Sequence, residues 1–286
     1  MPGMRDIKRR IRSIKNTQQI TKAMEMVAAA KLRKSQEKVI AARPYSQKLQ
    51  EVLNRLMVDA ERVQHPLMEV RETNKLGYIV ITADRGLCGG YNANIIRLTE
   101  RTLAGVEEEI RIVAVGRKGR DYFRRRGREI VKEYIAIGDD PTFTQAKALA
   151  HEMMELFEEK VFDKLYLVYT EFVSTMRQVP KIVPLLPLSP SPEKQEEKKE
   201  VEYIYEPSPQ GILENLLPRF VETQVYQALL EAKASEHGAR MTAMRSASDN
   251  AAEMIDRLTL SFNRARQAAI TKEISEIVGG AEALKG

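Results

Sequence analysis

The sequence has no tryptophan, one cysteine and three histidines among its 286 residues. The single thiol of Cys88 excludes an internal disulfide, and the scattered histidines leave no spacing that would hold zinc. No apolar run is long enough to cross a bilayer, and the basic start lacks the apolar core of a secretion signal. Aromatic residues make up only 6%, which argues against compact sandwiches and barrels and favours long helices with small residues at their contacts.

Positive charge is concentrated at the N-terminus. Residues 1–57 hold 14 basic and 4 acidic side chains, a net charge of +10, whereas the whole chain carries +6. The segments 58–206 and 207–286 carry net charges of −3 and −1. A basic helix indicates an acidic partner, which could be nucleic acid, anionic lipid or a carboxylate-rich protein surface.

A heptad pattern runs through this basic segment. Starting at Ile7, residues at alternating steps of four and three positions form one stripe along a helix, the spacing of a coiled-coil contact seam. The stripe is mostly apolar, with small and polar residues in its middle. The seam residues are Ile7, Ile11, Ile14, Gln18, Thr21, Glu25, Ala28, Leu32, Ser35, Val39, Ala42, Ser46, Leu49, Leu53 and Leu56. The polar middle predicts weaker packing than in a leucine zipper. Pro44 lies inside the run and predicts a kink near Arg43.

The C-terminal segment repeats the pattern. Its seam residues are Leu230, Ala234, His237, Met241, Met244, Ser248, Ala251, Ile255, Leu258, Phe262, Ala265 and Ala269. Pro207, Pro209 and Gly211 mark the start of this helix, and Gly279 and Gly280 weaken its end. Two heptad segments at opposite ends of one chain predict an intramolecular antiparallel coiled coil. Parallel pairing between two copies of the chain is the alternative.

The two heptad segments differ in length. Roughly 55 residues against roughly 75 leave about 30 Å of the second helix beyond its partner, at 1.5 Å per residue. This end carries an apolar stripe at helical spacing, formed by Ile270, Ile274, Ile277, Val278 and Ala281. Nothing else in the chain is left to cover it, so we expect another protein to do so.

Between the two helices, short apolar runs alternate with helical segments, which predicts a parallel or mostly parallel sheet with helices on its faces. The predicted strands are 76–83, 110–116, 129–135 and 164–172, and the predicted helices are 92–103, 118–126 and 143–160. Pro190, Pro192 and a Lys/Glu run predict a loop over 188–202. The predicted fold is therefore a mixed α+β and α/β one, in which a Rossmann-like α/β domain (76–206) is inserted between the N-terminal helix (1–57) and the C-terminal helix (209–286) of a long antiparallel coiled coil.

The segment Asp84–Asn92 follows a strand and opens a helix, which is where phosphate-binding loops occur. Its glycines match neither G-x-G-x-x-G nor the P-loop pattern, which favours a structural or partner-facing turn over a nucleotide site. Basic residues are dense over 117–128, but aromatics there are limited to Tyr122 and Phe123, which favours a solvated helix face over a nucleic-acid site. No carboxylate pair, Ser/His/Asp set or metal cluster stands out, so an active site in this chain is not expected.

Three segments, in the right order, closely resemble the gamma subunit of F-type ATP synthases of the bacterial type. They are residues 16–29 (NTQQITKAMEMVAA), 84–92 (DRGLCGGYN) and 270–281 (ITKEISEIVGGA). The resemblance covers essentially the whole chain, and the last segment matches the family's signature. It implies a rotor shaft with no active site and no cofactor of its own, which couples rotation of a proton-driven membrane ring to ATP synthesis or hydrolysis.

The resemblance also implies partners and contact residues. Three alpha and three beta subunits surround the coiled coil in that family, and the α/β domain forms a foot on the c-ring beside the epsilon subunit. Nucleic acid is then no partner, and membrane contact runs through the c-ring only. By position in the family's motifs, the residues that meet beta are Lys22, Met24, Arg240, Arg266, Gln267 and Thr271. Those that resemble the foot contacts are Tyr203, Tyr205 and Glu206.

The start of the sequence shows no transit peptide, so we expect a peripheral protein on the cytoplasmic face of a bacterial plasma membrane. Two other classes stay open on the residues alone. The basic first helix would suit a coiled-coil nucleic-acid-binding protein, whose affinity would depend strongly on salt. The turn at Gly86–Gly90 would suit an enzyme with a nucleotide loop, which nucleotide titration of the isolated chain would reveal.

Overall fold

The computed structural model of the chain describes residues 4–59, 65–189 and 209–283. Its helices are α1 (Met4–Asp59), α2 (Tyr91–Leu103), α3 (Arg117–Arg125), α4 (Phe143–Glu158) and α5 (Pro209–Ala283), with a 3₁₀ turn at Pro66–Met68. Its strands are β1 (Lys75–Ile81), β2 (Glu109–Val115), β3 (Ile130–Tyr134), β4 (Lys164–Phe172) and β5 (Gln178–Leu186). By internal contacts the chain divides into two units, which we call the helical unit (residues 1–27 with 241–286) and the α/β unit (residues 28–240).

The two long helices follow the predicted heptad seams. Every seam residue predicted on α1, and every one predicted from Leu230 to Ala269 on α5, is buried or half-buried. α1 has 56 residues and continues through Pro44, and α5 has 75 and continues through Pro218, Gly279 and Gly280. α5 begins at Pro209, where the fixed φ of proline suits the first helical turn.

The helices pair antiparallel within the α/β unit. Going up α1, the partners on α5 come from lower and lower residue numbers: Leu32 lies near Gly238, Arg43 is 4.0 Å from Glu231, and Gln50 accepts a hydrogen bond from Gln224 at 3.3 Å. At the end of α1, Leu53 and Leu56 join Leu213 and Leu217 in the main hydrophobic core. The prediction of an intramolecular antiparallel pair is therefore confirmed.

The α/β unit holds a five-stranded sheet in the order β3-β2-β1-β4-β5. The first four strands are parallel, and each matches a predicted strand to within two residues. Apolar residues of β1 alternate between the two faces of the sheet, with Ile79 and Ile81 in the core toward α4 and α5, and Tyr78 and Val80 in the core toward α2 and α3. Both faces are covered, as a doubly wound parallel sheet requires.

The fifth strand was not predicted. β5 pairs antiparallel with β4 at the edge of the sheet, from Phe172 opposite Gln178 to Leu165 opposite Leu186. It contains Pro180 and Pro184, which cannot donate to a ladder and are tolerated only at a sheet edge. The sheet is thus mixed, with one antiparallel edge strand on an otherwise parallel core.

Candidate functional site

Helix α5 lies against the carboxyl edge of the sheet, where doubly wound enzymes bind their ligands. Nearly every residue from Phe220 to Gly238 is buried. The Ser235 hydroxyl donates to the Thr170 carbonyl oxygen at 3.0 Å, at the end of β4. The cavity that remains between the ends of β1 and β2 and this helix is about 10 Å³, the volume one water molecule needs. This part of the edge is occupied by the chain's own helix, which leaves no room there for a nucleotide.

The turn Asp84–Asn92 is built as a structural joint. The Asp84 carboxylate accepts backbone N–H bonds from Arg117 at 3.0 Å and Ala136 at 3.1 Å, so it ties together the segments that follow β1, β2 and β3. The Asn92 side chain accepts from the Ala83 N–H at 2.9 Å and donates to the sulfur of Cys88 at 3.2 Å. Burial raises the pKa of the Cys88 thiol, which makes it a poor nucleophile.

Arg240 joins this turn to α5. Its guanidinium pairs with Glu236 at 2.9 Å and donates to the Gly86 carbonyl oxygen at 3.3 Å, and only 12% of its side chain is exposed. The resemblance implies a contact between Arg240 and beta. In the α/β unit its polar atoms are already engaged by the chain itself, so the contact with beta stays a prediction.

Lys22 and Met24 lie on α1 in the helical unit. Lys22 is exposed and donates to the Glu25 carboxylate at 3.0 Å, while Met24 is half-buried beside it. Glu25 is buried in the seam and also pairs with Arg245 of α5 at 3.4 Å. Arg245 was not among the predicted site residues. The carboxylate of Glu25 at a seam position is the sequence signal that could have pointed to it, because a buried Glu needs a cationic partner.

Arg266, Gln267 and Thr271 are all exposed on α5. Every residue from Ile270 to Gly280 is exposed, including Ile270 at 48%, Ile274 at 55% and Ile277 at 71%. In the described part of the helical unit, nothing covers this apolar stripe, as its length predicted. The side chain of Ala281 lies outside the described residues.

The first turns of α1 present exposed cations. Arg9 pairs with Asp6. Five other cations have no carboxylate within ion-pair distance among the described residues of the helical unit: Arg5, Lys8, Arg10, Arg12 and Lys15. The helical unit therefore combines an uncovered apolar end with an unneutralised basic face.

Tyr203, Tyr205 and Glu206 lie outside the described residues, as does most of the predicted loop over 188–202. In the described part of the chain, no helix has the length and apolarity needed to cross a membrane. No three metal-liganding side chains come together in that part of the chain.

Two long terminal helices, paired antiparallel where they meet the sheet, with a doubly wound α/β domain inserted between them, define the class of coiled-coil proteins with an inserted α/β domain. The family model described as ATP synthase matches residues 3–284. The chain is 59% identical to the ATP synthase gamma chain of Heliobacterium modesticaldum over 99% of this chain and all of that one. It is 60% identical to the gamma chain of Moorella thermoacetica over the full length of both. The chain belongs to the ATP synthase gamma chain family.

Solved structures agree in fold. A chain of the Euglena gracilis mitochondrial ATP synthase superposes with a TM-score of 0.73 at 22% identity, over 98% of this chain and 94% of that one. A chain of the Tetrahymena thermophila mitochondrial central stalk and c-ring superposes with a TM-score of 0.62 at 25% identity, over 80% of this chain and 99% of that one. As a member of the gamma chain family, this chain is the non-catalytic rotor subunit of the F1Fo ATP synthase.

Proposed function

We propose that the chain transmits rotation of a proton-driven c-ring to three beta subunits, and that the helical unit is the part that beta and alpha surround. The observation that carries this proposal is that the helical unit has both an uncovered apolar end, residues 270–278, and a basic face with no acidic partner in the described residues. An apolar sleeve and acidic beta segments would complement these two surfaces. The epsilon subunit and the c-ring are the proposed partners of the α/β unit.

Coupling requires unequal contacts. A shaft that bound all three beta subunits equally would shift none of their conformational equilibria. The helical unit is built from two different helices, α1 with Lys22 and α5 with Arg245 beside the buried Glu25, so its sides do not carry the same groups. Such asymmetry supports a role in driving each beta subunit in turn.

We assign the beta contacts to Lys22, Met24, Arg266, Gln267 and Thr271, all of which lie in the helical unit and are exposed or half-exposed. The family motif adds Arg240, and the foot contacts at Tyr203, Tyr205 and Glu206. We propose no cofactor and no nucleic acid for this chain. Its bacterial relatives support a peripheral position on the cytoplasmic face of the plasma membrane, with membrane contact through the c-ring only.

Reconstitution tests the assembly. Purified chain mixed with alpha and beta subunits should give one complex by gel filtration, and its ATPase activity should exceed that of alpha and beta alone. A complex that forms equally well with a chain ending at Ala269 and with the full chain would contradict a role for the apolar end in assembly. Strong, salt-sensitive binding of DNA by the free chain would favour the nucleic-acid alternative.

Lys22 tests the contact with beta. Lys22→Gln should lower the ratio of ATP-driven proton pumping to ATP hydrolysis about two- to fivefold, the effect of losing one exposed ionic contact of at most about 1 kcal/mol. Lys48→Gln is the matched control, because Lys48 forms a similar pair with Glu51 on the same helix, at 2.7 Å, but lies in the α/β unit. Equal ratios in both variants would contradict the assignment.

A further inference from the structure

The loop between β3 and α4, residues 135–141, presents two adjacent aspartates to α1. Asp139 accepts a hydrogen bond from Lys31 at 2.7 Å, and Asp140 accepts from Lys34 at 2.8 Å. Lys38 also donates to the Asp140 carboxylate. Steps of three and four place the lysines on one face of α1, over about 10 Å of its length. One short loop therefore holds two turns of the helix.

The 135–141 loop is itself fixed to the sheet. The Ala136 N–H donates to Asp84 at 3.1 Å, and the Gln145 side chain donates to the Ile137 carbonyl oxygen at 3.3 Å. Pro141 is buried. Ala136 has a φ of +59°, in the left-handed region that a residue with a side chain seldom adopts, so the surrounding contacts hold it there. The two carboxylates are thus carried on a braced turn.

Asp139 also faces α5. The His237 side chain is 1% exposed, and its Nε2 lies 3.7 Å from the Asp139 carboxylate. Neither ring nitrogen of His237 has a hydrogen-bond partner among the described residues. Asp139 therefore lies between Lys31 of α1 and the buried imidazole ring of His237 of α5. The hydrogen bonds from Lys34 and Lys38 lower the pKa of Asp140, which keeps its carboxylate charged.

The two long helices are attached to the α/β unit in different ways. α5 is enclosed from Phe220 to Gly238, whereas α1 enters the core only at its end, from Leu49 to Met57. Between that end and Lys31, the Arg43 guanidinium donates to the Phe172 carbonyl oxygen at 3.2 Å. Along residues 28–39, α1 also buries the seam residues Ala28, Leu32, Ser35 and Val39. A twisting load on the sheet would therefore reach this part of α1 through the seam and through its polar contacts with strand ends and loops.

We propose that the 135–141 loop is a clamp that passes torque from the α/β unit to α1, through Asp139 and Asp140 and the lysines at 31, 34 and 38. The inference rests on the proposed function, in which rotation enters through the α/β unit. Isolated surface ion pairs contribute little, but carboxylates shared by several cations on a braced loop act as a network. Asp139 and Asp140 are positioning residues: they hold α1 and touch no substrate.

The test measures the torsional stiffness of the shaft in the assembled complex. A bead is attached to Val70→Cys, a 77% exposed site in the α/β unit, and its angular variance is recorded while the complex pauses between ATP-driven steps. Cys88 is 2% exposed and will not compete for the label. Asp139→Asn with Asp140→Asn should increase the variance about 1.5-fold or more, and high salt should soften the parent complex but not this variant.

The control is Asp121→Asn, which removes a carboxylate whose partner Arg120 belongs to the same helix, α3. The charge-reversed chain, Asp140→Lys with Lys34→Asp and Lys38→Asp, should recover the stiffness that Asp140→Asn loses. Equal variance in Asp139→Asn/Asp140→Asn and the control, or no recovery on charge reversal, would overturn the clamp. Should the double variant not assemble, Asp140→Asn alone is judged by the same criteria. A parent complex in which the bead never turns would instead overturn the proposed function.

Discussion

Gly116 shows how little space the sheet edge leaves. It follows β2 with a φ of +93°, and a Cβ there would lie 2.1 Å from the Thr82 carbonyl oxygen. Gly116→Ala should therefore lower the free energy of unfolding by about 3 kcal/mol or more, since both the backbone and the strand end must move. Gly127→Ala is the matched control, with a φ of +68° and nothing within 4 Å, and should cost only about 1 kcal/mol. Urea unfolding followed by circular dichroism measures both, and equal losses would contradict the role of the close contact.

His237 makes stability depend on pH. Burial lowers the pKa of His237 below the ordinary 6.5. The positive charges of Arg240 and Lys233 lower it further, whereas the negative charges of Glu236 and Asp139 raise it. Lys31 reaches the same site through Asp139. The folded chain keeps the ring neutral while the unfolded chain protonates it, so stability is present above pH 6.5 and falls as the pH drops below it.

His237→Gln removes this proton uptake. Below pH 6.5 the free energy of unfolding of the parent chain should fall more steeply than that of the variant, by up to about 1.4 kcal/mol per pH unit, the slope of one proton. Urea titrations at several pH values between 5 and 7.5 measure the difference. Parallel pH profiles for the two chains would show that His237 does not titrate differently on unfolding.

The two long helices were predictable from the sequence, and the edge strand β5 was not. Heptad periodicity is a pattern of residue spacing within one segment, so each seam residue could be identified before its partner was known. β5 owes its conformation to pairing with β4, and Pro180 and Pro184 contradict a strand until the edge position is known. The burial of α5 against the sheet edge was also beyond prediction, because the same heptad pattern suits a helix with one partner.

Pro44 tests how far α1 depends on local propensity. It is exposed within the helix and lacks the N–H that would bond to the Ile40 carbonyl oxygen. Pro44→Ala should raise the free energy of unfolding by about 1–3 kcal/mol. Gln47→Ala, an exposed position one turn on, should change it by only about 0.3 kcal/mol. Loss of stability in Pro44→Ala would mean that packing needs the predicted kink near Arg43.

At the scale of the whole molecule, the units defined by contacts cut across the long helices. Residues 28–59 of α1 and 209–240 of α5 belong with the sheet, and residues 4–27 and 241–283 form the helical unit. Among the described residues of the helical unit only five side chains are buried, and three of them are small or polar: Ile7, Glu25, Met244, Ser248 and Ala251. The predicted polar seam thus gives a helix pair with little apolar burial, which suits the proposed enclosure of this unit by partner subunits.

Hydrogen exchange of the free chain should reveal this difference. Local opening requires less free energy where few apolar contacts are lost, so amides of residues 4–27 and 241–269 should be protected at least about tenfold less than those of 220–238, where α5 is enclosed. Mass spectrometry of peptic fragments measures the protection, and α4 provides an internal reference from the α/β unit. Assembly with alpha and beta should then slow exchange in the helical unit while leaving 220–238 unchanged, because only the former surface gains a cover. Equal protection along α5 in the free chain would mean that the seam residues hold the helix pair as firmly as the sheet does, and unchanged exchange on assembly would mean that the partners do not cover it.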